Sequence, residues 1–265
     1  MVRLPTLRGV IDRRILVNFR IEPEALAAVL PEPFEPRTVD GYAIGGICLL
    51  RLTHVRPLGV PAFVGHRSEN AAHRMGIEWD EDGERQVGVY VPRRDTSSRL
   101  TAALGNRTMG RYHRANFDVE EGAGRFAVSM TSGDGETQMS VRTREADAIP
   151  ESSIFDSLTE ASAYHKRGAV GYSPAADGEG FDGVKLTTER WAVSPLAVEA
   201  VSASFFEDER RFPPESDTFD NALLMQGVGH ETRDIGRLCP ATEAASDVGS
   251  EEHSSSADGE AVASP

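Results

Sequence analysis

Three glycine turns constrain this chain more than anything else in it: Asp40-Gly41, Asp82-Gly83 and Gly133-Asp134-Gly135. Each separates two segments of strand composition, such as residues 125–132 and 136–144. Glycine reaches positive φ without steric cost and Asp tolerates it, so these turns fold the chain back on itself as hairpins. A chain punctuated in this way builds a mostly antiparallel sheet. Helices are few: Pro23 opens a short one that stops at Pro31, Asp95-Thr96-Ser97 caps a second that Gly105 ends, and a third runs from about Ser153 to Lys166. Hairpins with occasional helices predict an α+β fold or a partly closed barrel.

With 265 residues, 39% of them hydrophobic, the chain can bury a core. The reading is one domain over residues 1–240, followed by an acidic, disordered tail over 241–265. That tail carries six carboxylates and no Lys or Arg, too little apolar surface to offset the entropy of ordering it. The longest apolar run, 42–50, contains two glycines and is far shorter than the roughly 20 residues of a membrane helix. No signal-peptide core follows Met1, so the expectation is a cytoplasmic protein.

Formal net charge is −14, with 42 acidic residues against 28 basic, and only two of the basic residues are lysines, Lys166 and Lys185. Such a balance argues against nucleic acid or anionic membranes as partners. It points to a halophilic source, where a Debye length of about 3 Å at 1 M salt screens acidic self-repulsion. Arginine-favouring codons are the alternative reading of the same composition. Two cysteines, Cys48 and Cys239, are too few for a disulfide framework, and Cys48 reads as a small core residue.

Several motifs fail on context. Residues 178–183 satisfy the dinucleotide glycine pattern, but they follow a loop and carry Glu179 and Asp182, which would repel a pyrophosphate. Asn106-Arg107-Thr108 matches a glycosylation acceptor without a secretion signal. His66, Glu69 and His73 share a face only if helical; as a strand, His66 opposes the other two, so no metal site is expected.

Short blocks along the chain carry a family resemblance. Val17-Asn18-Phe19-Arg20 leads into Glu24-Ala25-Leu26 and Leu30-Pro31-Glu32-Pro33-Phe34-Glu35, which resembles the opening of acetoacetate decarboxylases. Val89-Tyr90-Val91-Pro92 and Ala102-Ala103-Leu104-Gly105 continue it to Phe117. Ser157-Leu158-Thr159-Glu160 with Arg190-Trp191-Ala192-Val193 resembles a sister group, the YqjF-like proteins of unknown function. Together the blocks span most of residues 10 to 232. The resemblance implies a cone-shaped β-barrel with a few peripheral helices, a ligand held inside the cone, no cofactor, and a homo-oligomer.

Chemistry departs from that family. Its reactive lysine forms a Schiff base with a ketone. Aligned on Gly105, that lysine falls on His113 and its neighbour on Arg114. Imidazole forms no stable imine, and guanidinium stays protonated. Lys166 reads as a helix C-terminal cation and Lys185 as a surface strand residue. The same alignment offers His113 as a general acid or base, Glu69 near the family's functional glutamate, Arg13 or Arg14 as a carboxylate-binding arginine, and Tyr112 and Arg114 as further ligand contacts. Two functions follow. In one, Arg13, Glu69 and His113 converge on a small anionic or carbonyl-bearing organic ligand. In the other, a non-catalytic scaffold or assembly module has lost the site, its cone is filled with apolar side chains, and His113 points outward.

Overall fold

A computed structural model describes residues 5–105 and 111–239; the Asn106-Arg107-Thr108 triplet and the acidic tail lie outside the described residues. The described chain forms β1 (Leu7–Ile21), α1 (Pro23–Ala27), β2 (Glu35–Pro36), β3 (Thr38–Val39), β4 (Tyr42–Pro57), β5 (His66–Glu81), β6 (Glu84–Thr96), α2 (Arg99–Gly105), β7 (Tyr112–Gly122), β8 (Arg125–Ser132), β9 (Gln138–Glu145), α3 (Leu158–Arg167), β10 (Val170–Pro174), β11 (Phe181–Thr188), β12 (Ser194–Ala203) and β13 (Asp217–Leu238).

All three glycine turns join consecutive strands. Asp40 and Gly41 sit at φ 48° and 80°, Asp82 and Gly83 at 53° and 81°, and Gly135 at 76°. A fourth hairpin, between β7 and β8, turns at Ala123 and Gly124, with φ 50° and 72°. Alanine rarely adopts this conformation, and the sequence signal for the turn lies in the glycines on either side of it, Gly122 and Gly124.

Helix starts differ from expectation. Asp95 and Thr96 belong to β6, and the cap of α2 is Ser98, whose Oγ accepts from the Thr101 amide at 3.0 Å. The third helix begins at Leu158, capped by Ser157, whose Oγ accepts from the Glu160 amide. Ser153 instead donates to Asp220 on β13 at 2.8 Å, and the Ile154 amide donates to the same carboxylate, which holds that segment in turns.

Thirteen strands form one sheet. Two pairings are parallel, β6 with β7 and β6 with β10; all others are antiparallel. The run β13-β1-β4-β5-β6 is a wall shared by two closed rings. On one circuit β10 and β11 link β6 back to β13; on the other, β7, β8, β9 and β12 do so.

Side chains alternate along the wall, so each face serves a different interior. Odd-numbered Ile15, Val17, Phe19 and Ile21 of β1 join the main core with Val128, Met130, Val141 and Phe206. There Phe206 stacks between Phe19 at 4.8 Å and Phe212 at 5.4 Å. A Cβ on Gly45 would come within 2.9 Å of the Phe206 ring, so that packing requires glycine on β4. Even-numbered Leu16 instead joins Ile44, Cys48 and the α3 residues Ala161 and Tyr164.

Candidate functional site

The face that carries Leu16 and Cys48 also opens into a cavity of about 250 Å³, lined by residues of β1, β4, β5, β6, β7, β10, β11 and β13. Leu50, Leu52, Val89, Val91, Val184 and Leu186 supply an apolar wall, while Arg14, Arg74, Arg94, Tyr112, His66 and His230 supply polar groups. No Asp or Glu is among the described residues lining it.

Register explains the cationic end. Cys48 pairs with Leu16 on one side and Ala72 on the other, which puts Arg14 and Arg74 on its face of the wall. Arg14 donates from Nε to Cys48 Sγ at 3.1 Å, and its guanidinium lies 5.6 Å from the centre of the Trp191 ring. Arg74 is 5% exposed; it donates to Asn18 Oδ1 and lies 3.5 Å from His165 Nδ1. Neither arginine forms an ion pair with a carboxylate among the described residues. Burial, with the charge of Arg14 beside it, lowers the Arg74 pKa to about 10. His230 is 4% exposed with both ring nitrogens unpartnered, and burial together with Arg14 lowers its pKa to about 4. Nε2 of His66 and Nε of Arg74 are also buried without partners. Buried polar atoms normally find partners, so a cluster of orphans around a cavity is a feature of binding sites.

The six residues singled out from sequence divide among four places. Arg14 and Tyr112 line the cavity, and the Arg94 guanidinium lies over the Tyr112 ring at 5.7 Å. Arg13 points to the opposite face, 1% exposed, and donates to Glu69 at 2.6 Å and to Glu121; Arg51 bridges the same two carboxylates. Burial works to raise the Glu121 pKa, but Arg13 and Arg51 together hold it below the ordinary range. His113 contacts Asp134 through Nδ1 at 2.8 Å. Asp134 also accepts from Arg93 and Ser132, and against the opposing effect of burial these bonds hold its carboxyl well below the usual value. Arg114 is exposed and donates to the carbonyl of Ser97. The expected convergence of Arg13, Glu69 and His113 therefore does not occur: the first two satisfy each other, and none of the three lines the cavity.

Sequence reasoning passed over Arg74 and His230. The parity of β5 relative to Cys48 could have flagged Arg74, but that parity is usable only once the pairing register is known. The stretch His66–Glu81 is a strand, so the helical face that would gather His66, Glu69 and His73 does not exist. Residues 178–183 run from a turn into β11, with Asp182 paired to Arg237, and lack the strand-turn-helix context of a dinucleotide site.

Residues 11–228 match the DUF2071 family, described as "Uncharacterized conserved protein (COG2071)". The chain belongs to the DUF2071 family. A search of curated proteins finds no match. Among solved structures, this DUF2071 protein is similar to acetoacetate decarboxylase from Legionella pneumophila, at 11% identity and TM-score 0.56 over 89% of this chain and 88% of that one. It is similar to the enduracididine biosynthesis enzyme MppR complexed with pyruvate, at 13% identity and TM-score 0.57 over 90% and 91%. An acetoacetate decarboxylase-like enzyme from Sphingomonas wittichii RW1 matches at 11% identity and TM-score 0.54 over 88% and 92%. The DUF2071 protein thus has the mostly antiparallel, acetoacetate decarboxylase-like fold, with the two-ring sheet and few helices already described. No helix among the described residues is long and apolar enough to cross a membrane.

Proposed function

We propose that this DUF2071 protein binds a small organic anion, a carboxylate or oxo acid, in the 250 Å³ cavity and holds it without an amine–carbonyl bond. One observation carries the reading: Arg14 and Arg74 reach the cavity with no carboxylate paired to them among the described residues. Two guanidinium groups in a low-dielectric recess attract an anion more strongly than they would in water. The pyruvate complex of the similar MppR structure belongs to the same ligand class. A cavity that two arginines reach favours this reading over a scaffold with a filled cone.

The Arg74→Met substitution tests it. Acetate and pyruvate affinity, measured by calorimetry, is expected to fall at least about tenfold, the effect of losing a charge-assisted hydrogen bond. Stability in urea is expected to hold or rise by about 1 kcal/mol, because a buried cation with neutral partners is replaced by a side chain that packs without desolvation. His113→Ala serves as control and leaves binding unchanged. Equal affinity in Arg74→Met and wild type would remove the anion site.

The placement of the lysines supports capture without an amine. Lys166 and Lys185 are both exposed, and neither lines this cavity. Borohydride added with pyruvate or acetone is therefore expected to leave the protein mass unchanged. A reduced adduct located on either lysine by peptide mapping would contradict that.

The acidic, arginine-rich composition fits a salt-rich cytoplasm. Urea midpoints are expected to rise between about 0.2 M and about 2 M KCl as self-repulsion is screened. A flat or falling midpoint would leave codon bias as the explanation.

A further inference from the structure

From the side chains gathered where α3 meets the end of β11, we infer that this protein has a second binding site, a surface groove that takes a small, multiply charged anion such as a diphosphate. The groove goes beyond the interior site and uses Lys166 and Lys185, which that site does not.

Local structure assembles it. Lys166 lies in the last turn of α3, and the chain passes through Gly168 and Ala169 into β10. Antiparallel pairing of β10 with β11 sets Lys185 opposite Val170, and the Leu186 amide donates to the Ala169 carbonyl at 2.9 Å. The segment after β11 is tied back to α3 by Trp191, which donates from Nε1 to Ser162 Oγ at 2.9 Å, and Arg190 comes with it. Arg14 lies against the same indole. Lys166, Lys185, Arg190 and Arg14 thus line one groove of about 370 Å³, with Glu189 the one carboxylate among its described lining residues. Arg14 is the only charged side chain it shares with the interior cavity.

These four cations stand out by what they lack. With a net charge of −14 the chain has carboxylates to spare, and guanidinium groups elsewhere hold them: Arg85 three, Arg237 two and Arg125 one. The two lysines of the sequence, with Arg190 and Arg14, form no ion pair among the described residues. Glu231, opposite Thr187 on β13, is already held by Arg8 at 2.6 Å and Arg233 at 3.0 Å. Glu189 and the partial negative charge at the end of α3 oppose an anion, but four cations outweigh them. His165 adds an uncharged donor. Arginine only donates, so His165 Nδ1, 3.5 Å from Arg74, accepts; the neutral ring then carries its proton on Nε2, which is buried without a partner in a residue that lines the groove. A recess lined by one sign of charge focuses its field, and a multiply charged anion gains from all four cations where a monocarboxylate gains from one or two. Hydrogen-bonded contacts also fall within the ~3 Å Debye length at 1 M salt, so screening weakens them less than it weakens attraction at a distance.

Calorimetry of inorganic pyrophosphate on the full chain tests the site. Wild type is expected to bind it, and to bind inorganic phosphate at least about fivefold more weakly. Lys166→Met and Lys185→Met are each expected to weaken pyrophosphate about threefold, and the double variant about tenfold. Both side chains are exposed, so the fold survives their loss. Glu189→Gln is expected to tighten binding about twofold. Arg125→Met with Arg144→Met removes the same charge from β8 and β9, outside the groove, and is expected to leave affinity within about 1.5-fold. Pyrophosphate that fails to bind the wild type, or binds the double lysine variant as tightly, would overturn the groove. A loss that follows Arg74→Met instead of the lysines would also overturn it, by placing the anion in the interior cavity. An equal loss in the Arg125 and Arg144 double variant would do the same, since net charge alone would then account for the attraction. Equal affinity for phosphate and pyrophosphate would overturn the preference for multiple charge.

Discussion

Acidification is expected to destabilise this protein steeply from about pH 6.5 downward, well before most carboxylates titrate. His73, His165 and His230 are buried at 0%, 5% and 4% exposure. Burial, with Arg93 and Arg211 nearby, lowers the His73 pKa to about 3; burial with Arg14 lowers His230 to about 4; burial with Arg74, Arg14 and Arg37 holds His165 well below its ordinary value. Below about pH 6.5 the unfolded chain takes up a proton at each histidine while the folded chain does not. Unfolding free energy then falls by up to ~1.4 kcal/mol per pH unit for each histidine, until its folded pKa is reached. Glu121, held low in the folded state, adds a loss of the same sign as pH falls through the carboxylate range. Asp95 and Asp217, raised chiefly by burial, oppose it there. Urea titrations between pH 7 and pH 4 measure the slope. His73→Leu, which removes a ring packed 4.6 Å from Phe205, is expected to flatten it by about one histidine's share. A slope that His73→Leu leaves unchanged would mean that this residue is not held neutral in the core.

Truncating Arg13 to alanine is expected to cost about 3 kcal/mol in urea unfolding, whereas Arg14→Ala is expected to change stability by less than about 1 kcal/mol. Arg13 is 1% exposed and serves both Glu69 and Glu121. Without it the two carboxylates depend on Arg51 alone, and like charges are left facing each other in a partly buried site. Arg14 forms no ion pair among the described residues, and its loss removes a hydrogen bond to Cys48 and a contact with Trp191. For ligand binding the order reverses: Arg14→Ala is expected to weaken acetate at least about tenfold and Arg13→Leu to leave it within about twofold. Similar stability losses for the two alanine variants would contradict the assignment of these neighbours to opposite faces.

The two arginines also mark where sequence reading stops. Adjacent residues on a strand point to opposite sides, so proximity to a family's carboxylate-binding position leaves both open. Glu69 and His113 were reasonable candidates on the same ground, yet each has a nearby counter-charge in Arg13 and Asp134. Arg74 and His230 carry no local signal at all. His230 owes its role to a strand partner far along the chain, Gly9, and Arg74 to its bond with Asn18, which pairs with Asn221.

What the residue order determined by itself was local or compositional. Asp-Gly turns made hairpins because their φ values are set within a few residues. The short helix at Pro23 formed for the same kind of reason, and the scattered family blocks sufficed for the fold. Tertiary structure alone decided which face of each strand meets the cavity, because register depends on pairing between β1, β4, β5 and β13. A one-residue slip in that pairing would exchange Arg13 for Arg14, and with it a stabilising ion cluster for an anion-binding wall.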